Sequence, residues 1–365
     1  MTAKQPVSEE NSRKALVILE SHKKLVWPLI KKYLKDPQYP LAFEIPNKYI
    51  DDVKFHWEVT STYPERQGKY LRPTLLILTG EALGIDIQSL LNTSAAMQLS
   101  EDWLLIHDDI EDDSNIRRGK PALHKIYGTE LAINAGDALH VIMWKLLDDN
   151  FQILGNEKSL RILEEFYRML SRTTLGQGVE INWAKSNKLD FTDNDWFFIA
   201  DGKTSYYTIA GPMRLGAIIG GVNNSQLEKL ANFGQVLGRC FQLVDDLLDI
   251  NSKDYRGKGQ IMGNDIYESK KTLLLGHLLR TSSASDRKRI IRILQKSREK
   301  KTQKEVEWII DKMQQCGSID YARRIAQRLR GDALTMFESE LKFLSHEPAR
   351  SELKTLINFV LERNC

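Results

Sequence analysis

Hydrophobic residues recur along this chain at helical spacing, and runs that alternate every second residue are hard to find. Leu90, Ala95, Met97, Leu99, Leu104 and Leu105 mark the inner side of one long helix; Leu227, Leu230, Phe233, Val236, Leu237, Phe241 and Val244 mark another. Each helix runs directly into a cluster of aspartates. Helix starts are predicted at Thr192, with Asp195 three residues on, and at Asp286, ahead of a basic amphipathic run. Gly, Pro, Asn, Ser and Asp gather at 36–46, 184–190 and 252–263, which read as loops too short to be domain linkers. The pattern predicts an all-α fold, with residues 1–15 as a solvated tail and 16–365 as one helical domain.

Composition narrows the class. The 365 residues are 42% hydrophobic and 28% charged, an ordinary globular balance that can furnish a large core. No apolar run approaches the roughly 18 residues needed to cross a bilayer. The opening MTAKQPVSEENSRK has no apolar stretch of the kind a signal peptide carries. Cys240, Cys316 and Cys365 are odd in number and scattered, which suits neither a disulfide framework nor a metal-binding pair. A reducing, cytoplasmic setting without stable membrane insertion is expected. Net charge is only +3, yet 285–304 carries nine Lys or Arg against Asp286 and Glu299, so the rest of the chain is net negative. That segment is a solvated helix face or a weak contact for an anionic membrane surface. Aromatic residues do not interleave with it, which argues against nucleic acid.

The chemistry lies in a motif that recurs at long range. Asp108-Asp109-Ile110-Glu111-Asp112 and Asp245-Asp246-Leu247-Leu248-Asp249 are both DDxxD. On a helix, residues four apart stack one turn above each other, so Asp108 pairs with Asp112 and Asp245 with Asp249. Like charges so placed destabilise a bare helix, and the repetition points to compensation by cations. Magnesium keeps several waters and takes one or two carboxylates together with substrate phosphate oxygens, which such sparse pairs can supply. Asp109 joins these four as a candidate ligand. Basic groups supply the complement: Arg117 and Arg118 in RRGKP, Lys69 and Arg72 in QGKYLRP, and Lys203 beside Thr204 in DGKTSYY. Together they describe two phosphorylated substrates, one held through metals and one through guanidinium and ammonium groups.

From Lys69 to Thr272 the chain resembles the trans-isoprenyl diphosphate synthases, through LLIHDDIEDDSNIRRGKPALHKIYG, GKT at 202–204 and FQLVDDLLD at 241–249. The resemblance implies an isoprenoid synthase type I fold: a single-domain bundle of roughly ten or more helices around a central cavity, as a homodimer. It implies that Asp108, Asp112 and Asp245 hold magnesium on an allylic diphosphate, which Arg117, Lys203 and Lys258 also contact. Lys69, Arg72 and Arg118 would bind isopentenyl diphosphate, and Thr204 and Gln242 would line the reacting centre. Four departures stand out. Gln67 replaces the first Gly of the family's GGK, and Tyr70 stands where Arg is common. Ser269 replaces the Gly before Lys270, the last lysine of the site. Glu101 replaces a His or Gln that donates to isopentenyl diphosphate; its charge would weaken that substrate's binding unless turned away or paired with Lys69, Arg72 or Arg118.

The implied reaction needs no protein nucleophile: the allylic carbon–oxygen bond ionises, the isopentenyl double bond attacks, and a proton leaves. Trp103, Leu104, Phe241, Tyr206 and Tyr207 are candidate apolar walls that exclude water. Trp103 and Leu104, just before the first motif, would limit product length, and a motif without an insertion leans toward a twenty-carbon geranylgeranyl product over farnesyl. A class I terpene cyclase would leave Lys69 and Arg72 idle. A non-catalytic subunit would not need two whole acidic motifs.

Overall fold

The computed structural model describes residues 7–35, 43–251 and 262–361. In chain order its α-helices are α1 (Val7–Lys35), α2 (Ile50–Glu65), α3 (Leu71–Glu81), α4 (Gln88–Glu111), α5 (Leu123–Tyr127), α6 (Thr129–Lys185), α7 (Asp193–Ala200), α8 (Gly211–Ile219), α9 (Asn224–Asn251), α10 (Asn264–Tyr267), α11 (Leu273–Thr281), α12 (Ala284–Leu294), α13 (Gln303–Gln315), α14 (Ser318–Glu340) and α15 (Ala349–Leu361). Among the described residues the fold is all-α apart from an antiparallel hairpin of two-residue strands, β1 (Ile116–Arg117) with β2 (Lys120–Pro121). α6 breaks at Gly155, where φ is 76°. No helix among the described residues is long and apolar enough to cross a membrane.

α1 begins at Val7 and buries Ala15, Leu19, Val26 and Ile30, which repeat at helical spacing. The basic helix α12 starts one turn earlier than expected: Ser283 is its N-cap and accepts from the Asp286 amide at 3.1 Å. The Thr192–Asp195 start is as read, with both reciprocal capping bonds formed.

Residues cluster into two compact units. The first comprises Met1–Glu165, Pro212–Asn223 and Leu344–Thr355. Its core packs α1, α3 and α4 against one another through Ile30, Leu75, Leu76, Leu78, Leu90 and Met97, all buried. The second comprises Phe166–Gly211, Asn224–Phe343 and Leu356–Cys365. There α9 packs on α14, with Phe233 against Phe337, and on the segment Asp201–Ala210. That segment is π-helical: the Gly211 amide reaches back five residues to the Tyr206 carbonyl. Widened turns of this kind are uncommon and collect at functional sites.

Candidate active site

In the first unit, α4 ends in the first acidic motif, with Asp108 and Asp109 in its last turn and Asp112 at its C-cap. Carboxylates at a helix C-terminus oppose the backbone dipole, so the arrangement needs positive partners. The hairpin delivers one. Its central residues, Arg118 and Gly119, both have positive φ, which suits the right-handed twist of paired strands. It turns the Arg117 guanidinium back onto the motif: Nε lies 3.0 Å from both Asp109 oxygens, and Nη2 lies 2.5 Å from Asp109 and 3.2 Å from Asp108. Burial alone would lower the Arg117 pKa; Asp109 and Asp108 more than reverse this and hold it charged. The Tyr63 hydroxyl donates to Asp109 at 2.6 Å, so Asp109 is fully buried and saturated by protein partners. Asp108 and Asp112 keep partial exposure.

Beside them, Arg118 forms an ion pair of 2.8 Å with buried Asp102, whose pKa burial raises, and donates to the Tyr63 carbonyl. A Cβ on Gly68 would meet Arg118 Nη2 at 2.8 Å, so the Gly68–Lys69 loop lies against that guanidinium. Lys69 itself is exposed, and Tyr70 is buried with φ of 59°. Arg72 Nη1 lies 2.9 Å from Glu101, so the carboxylate that looked misplaced in the sequence is paired with one of its three expected partners. Trp103 is buried and stacks on His140 of α6, with ring centroids 4.1 Å apart, while Leu104 is half-buried.

The second unit holds the other motif in the last two turns of α9. Asp249 accepts the Asn264 and Asp265 amides at 3.1 Å each, so it anchors the following turn with both oxygens. Asp246 is buried, accepts from Gln242 Nε2 at 2.8 Å, and its Oδ2 has no hydrogen-bond partner among the described residues. Burial, with Asp265 nearby, raises the pKa of both Asp246 and Asp249. Asp245 is half-buried. Lys270 pairs with Glu268 at 2.7 Å and lies 3.8 Å from Asp265. Asp246, Asp249, Asp265 and Lys270 border a cavity of about 10 Å³, room for one water.

Lys203 and Thr204 sit on the π-helical segment. Lys203 Nζ donates to Glu180 at 2.7 Å, and Thr204 Oγ1 donates to Gln242 Oε1 at 2.7 Å. The segment is pinched between α6 and α9, since a Cβ on Gly176 would lie 2.6 Å from the Lys203 amide nitrogen. Sequence reasoning missed its anchor: Asp201, just before GKT, accepts from Arg239 Nε at 2.7 Å and from Gln235 at 2.7 Å. The four-residue spacing of Gln235 and Arg239 on α9 was the available signal. Tyr206 and Tyr207 are buried on the same segment, and Phe241 is half-buried on α9. Lys258 lies outside the described residues.

No group of three or more His, Cys, Asp and Glu is gathered for a metal among the described residues. The donor chemistry still fits magnesium, which binds few protein oxygens and completes its shell with water and phosphate. Carboxylates massed at two helix C-termini, with Arg117 on the first cluster and Lys270 near the second, suit an all-helical enzyme that handles diphosphates with a divalent cation. The family model for polyprenyl synthetase matches residues 54–313, and the chain belongs to that family. It is 33% identical over 296 residues to a short chain isoprenyl diphosphate synthase of Methanothermobacter thermautotrophicus, covering 81% of this chain and 86% of the relative. It is 31% identical over 322 residues to a geranylgeranyl diphosphate synthase of Sulfolobus acidocaldarius, covering 88% and 94%. A geranylgeranyl pyrophosphate synthetase from Pyrococcus horikoshii superposes with a TM-score of 0.80 at 28% identity, covering 96% of this chain and 99% of that one.

Proposed function

We propose that this chain is a magnesium-dependent short-chain prenyltransferase that joins isopentenyl diphosphate to an allylic diphosphate and releases geranylgeranyl diphosphate. One observation carries the reading: Asp109, Asp246 and Asp249 are buried and held by protein groups, whereas Asp108, Asp112 and Asp245 keep partial exposure. The aspartates with solvent access are the three that the resemblance assigns to metal. Bound magnesium would neutralise charge on the departing diphosphate.

The chain's own groups do the rest. By the resemblance, Arg117, Lys203 and Lys258 contact the allylic diphosphate, Lys270 as the last lysine of the site joins them, and Lys69, Arg72 and Arg118 bind that of isopentenyl diphosphate. Thr204 spends its proton on Gln242, so its oxygen lone pairs are what it offers to a developing allylic cation. The condensation proton leaves with the released diphosphate, and no side chain is required as base. Of the two residues expected to limit product length, Leu104 lies one turn before Asp108 on the same face, while Trp103 is engaged with His140. Leu104 is therefore assigned the limiting role and Trp103 a packing role.

A homodimer is part of the proposal. Ile133, Val141 and Trp144, on one side of α6 with exposures of 43%, 67% and 39%, are apolar side chains available for burial against a second copy. The setting is cytoplasmic. Purified chain incubated with magnesium, labelled isopentenyl diphosphate and farnesyl diphosphate should yield a twenty-carbon product on extraction and sizing. A cyclic hydrocarbon, or no incorporated label, contradicts the proposal.

A further inference from the structure

Two lysines with no part in the reaction above, Lys271 and Lys301, are buried at 4% and 6% exposure. Both grip one residue, Ser269. Lys301 Nζ donates to Ser269 Oγ at 2.6 Å and to the Tyr267 carbonyl at 2.6 Å; Lys271 Nζ donates to the Ser269 carbonyl at 3.0 Å. The Ser269 hydroxyl donates in turn to the Leu294 carbonyl at 2.8 Å.

The backbone explains the need. The Lys270 amide bonds the Asp265 carbonyl and the Ser269 amide bonds the Ile266 carbonyl, at 2.9 and 3.1 Å, which is the Schellman ending of α10. Its left-handed residue is Ser269, with φ of 59°. Glycine takes that conformation without steric cost and serine does not. The turn carries Lys270 to the edge of the second acidic motif, whose Asp249 anchors its other end. Apart from Lys271, the bracing side chains come from the basic segment 285–304. Besides Lys301, Arg298 donates to Glu268 at 2.9 Å and to Asn264 at 2.6 Å.

We propose that Lys301 is a positioning residue: it holds the strained Ser269 turn so that Lys270 meets the allylic diphosphate, a task that glycine at 269 would perform unaided. The inference rests on the reading of Lys270 as a diphosphate ligand. It gives part of the basic segment a role in the site, where the sequence suggested only a solvated face or a membrane contact.

The test is a set of steady-state measurements on the full-length enzyme, reading KM for farnesyl diphosphate, KM for isopentenyl diphosphate, and Tm. Lys301→Met should raise the allylic KM about tenfold and leave the isopentenyl KM within about twofold. Ser269→Gly should behave as wild type, and Ser269→Gly with Lys301→Met should recover most of the loss. If Lys301→Met does not fold, Lys301→Gln, which keeps one donor group, should show the same allylic selectivity in milder form. An unchanged allylic KM, equal effects on both substrates, or a double variant as impaired as Lys301→Met overturns the inference. Lys270→Ala separates the two layers. If it leaves the allylic KM unchanged, the reading of Lys270 falls; if it raises that KM while Lys301→Met is silent, only the positioning role falls.

Discussion

Single residues divide each acidic motif into buried anchors and partly exposed carboxylates. Asp109 is fully buried between Arg117 and Tyr63, so Asp109→Leu leaves a buried guanidinium with only Asp108 beside it and should cost about 3 kcal/mol of stability, measurable by denaturant unfolding. A loss below about 1 kcal/mol would mean that the pair is only a surface contact. Glu101 shows how a residue that looks wrong in sequence finds its reason in a partner. Because it orients Arg72 at 2.9 Å, Glu101→Gln should raise the KM for isopentenyl diphosphate a few-fold with the allylic KM unchanged. A lowered KM would mean that its charge opposes that substrate. Sequence alone could name the three basic candidates for Glu101 but not choose among them, since the choice depends on how α3 and α4 pack.

At the scale of elements, the helices that end in carboxylates were legible because apolar spacing and acidic clusters are both local signals. Features set by packing were not. The π-helical stretch over GKT depends on Gly176 of α6, twenty-seven positions before Lys203 in the chain, and the Arg117 hairpin has an Arg-Gly turn without the usual Asn-Gly or Asp-Gly signature. Helix geometry alone makes Trp103 a wall, whereas in the fold its ring stacks on His140. Leu104→Ala should therefore lengthen the product while Trp103→Ala mainly destabilises, by about 3–5 kcal/mol. Product sizing and thermal unfolding of the two variants check this, and longer products from Trp103→Ala alone would contradict it.

The lysines around the Ser269 turn carry a pH signature. Burial lowers Lys271 and Lys301 from 10.5 to about 8, so between pH 8 and 10 the unfolded chain binds more protons and stability rises with pH. Below pH 8 the full cost of burying both charges remains. Lys301→Met should remove roughly half or more of that rise, because it also relieves the repulsion on Lys271. Denaturant midpoints at pH 7.5, 8.5 and 9.5 read it directly, and an identical slope in the variant would contradict the assignment.

At the scale of the whole molecule, the proposed function has the half-exposed aspartates, Asp108 and Asp245, serve a condensation that needs magnesium, while the buried ones hold the site in shape. The all-α class, the two motifs and most of the basic groups were readable along the chain, whereas Glu180 and the bracing role of Lys301 emerged only from tertiary contacts. The most direct measurement is the rate of isopentenyl diphosphate incorporation against free magnesium for the wild type, Asp108→Ala and Asp245→Ala, each verified as helical by circular dichroism. A saturable magnesium dependence, abolished by EDTA, is expected, with rates lowered on the order of a hundredfold or more in both variants at every magnesium concentration. Full activity in excess EDTA, or from either variant, would contradict it.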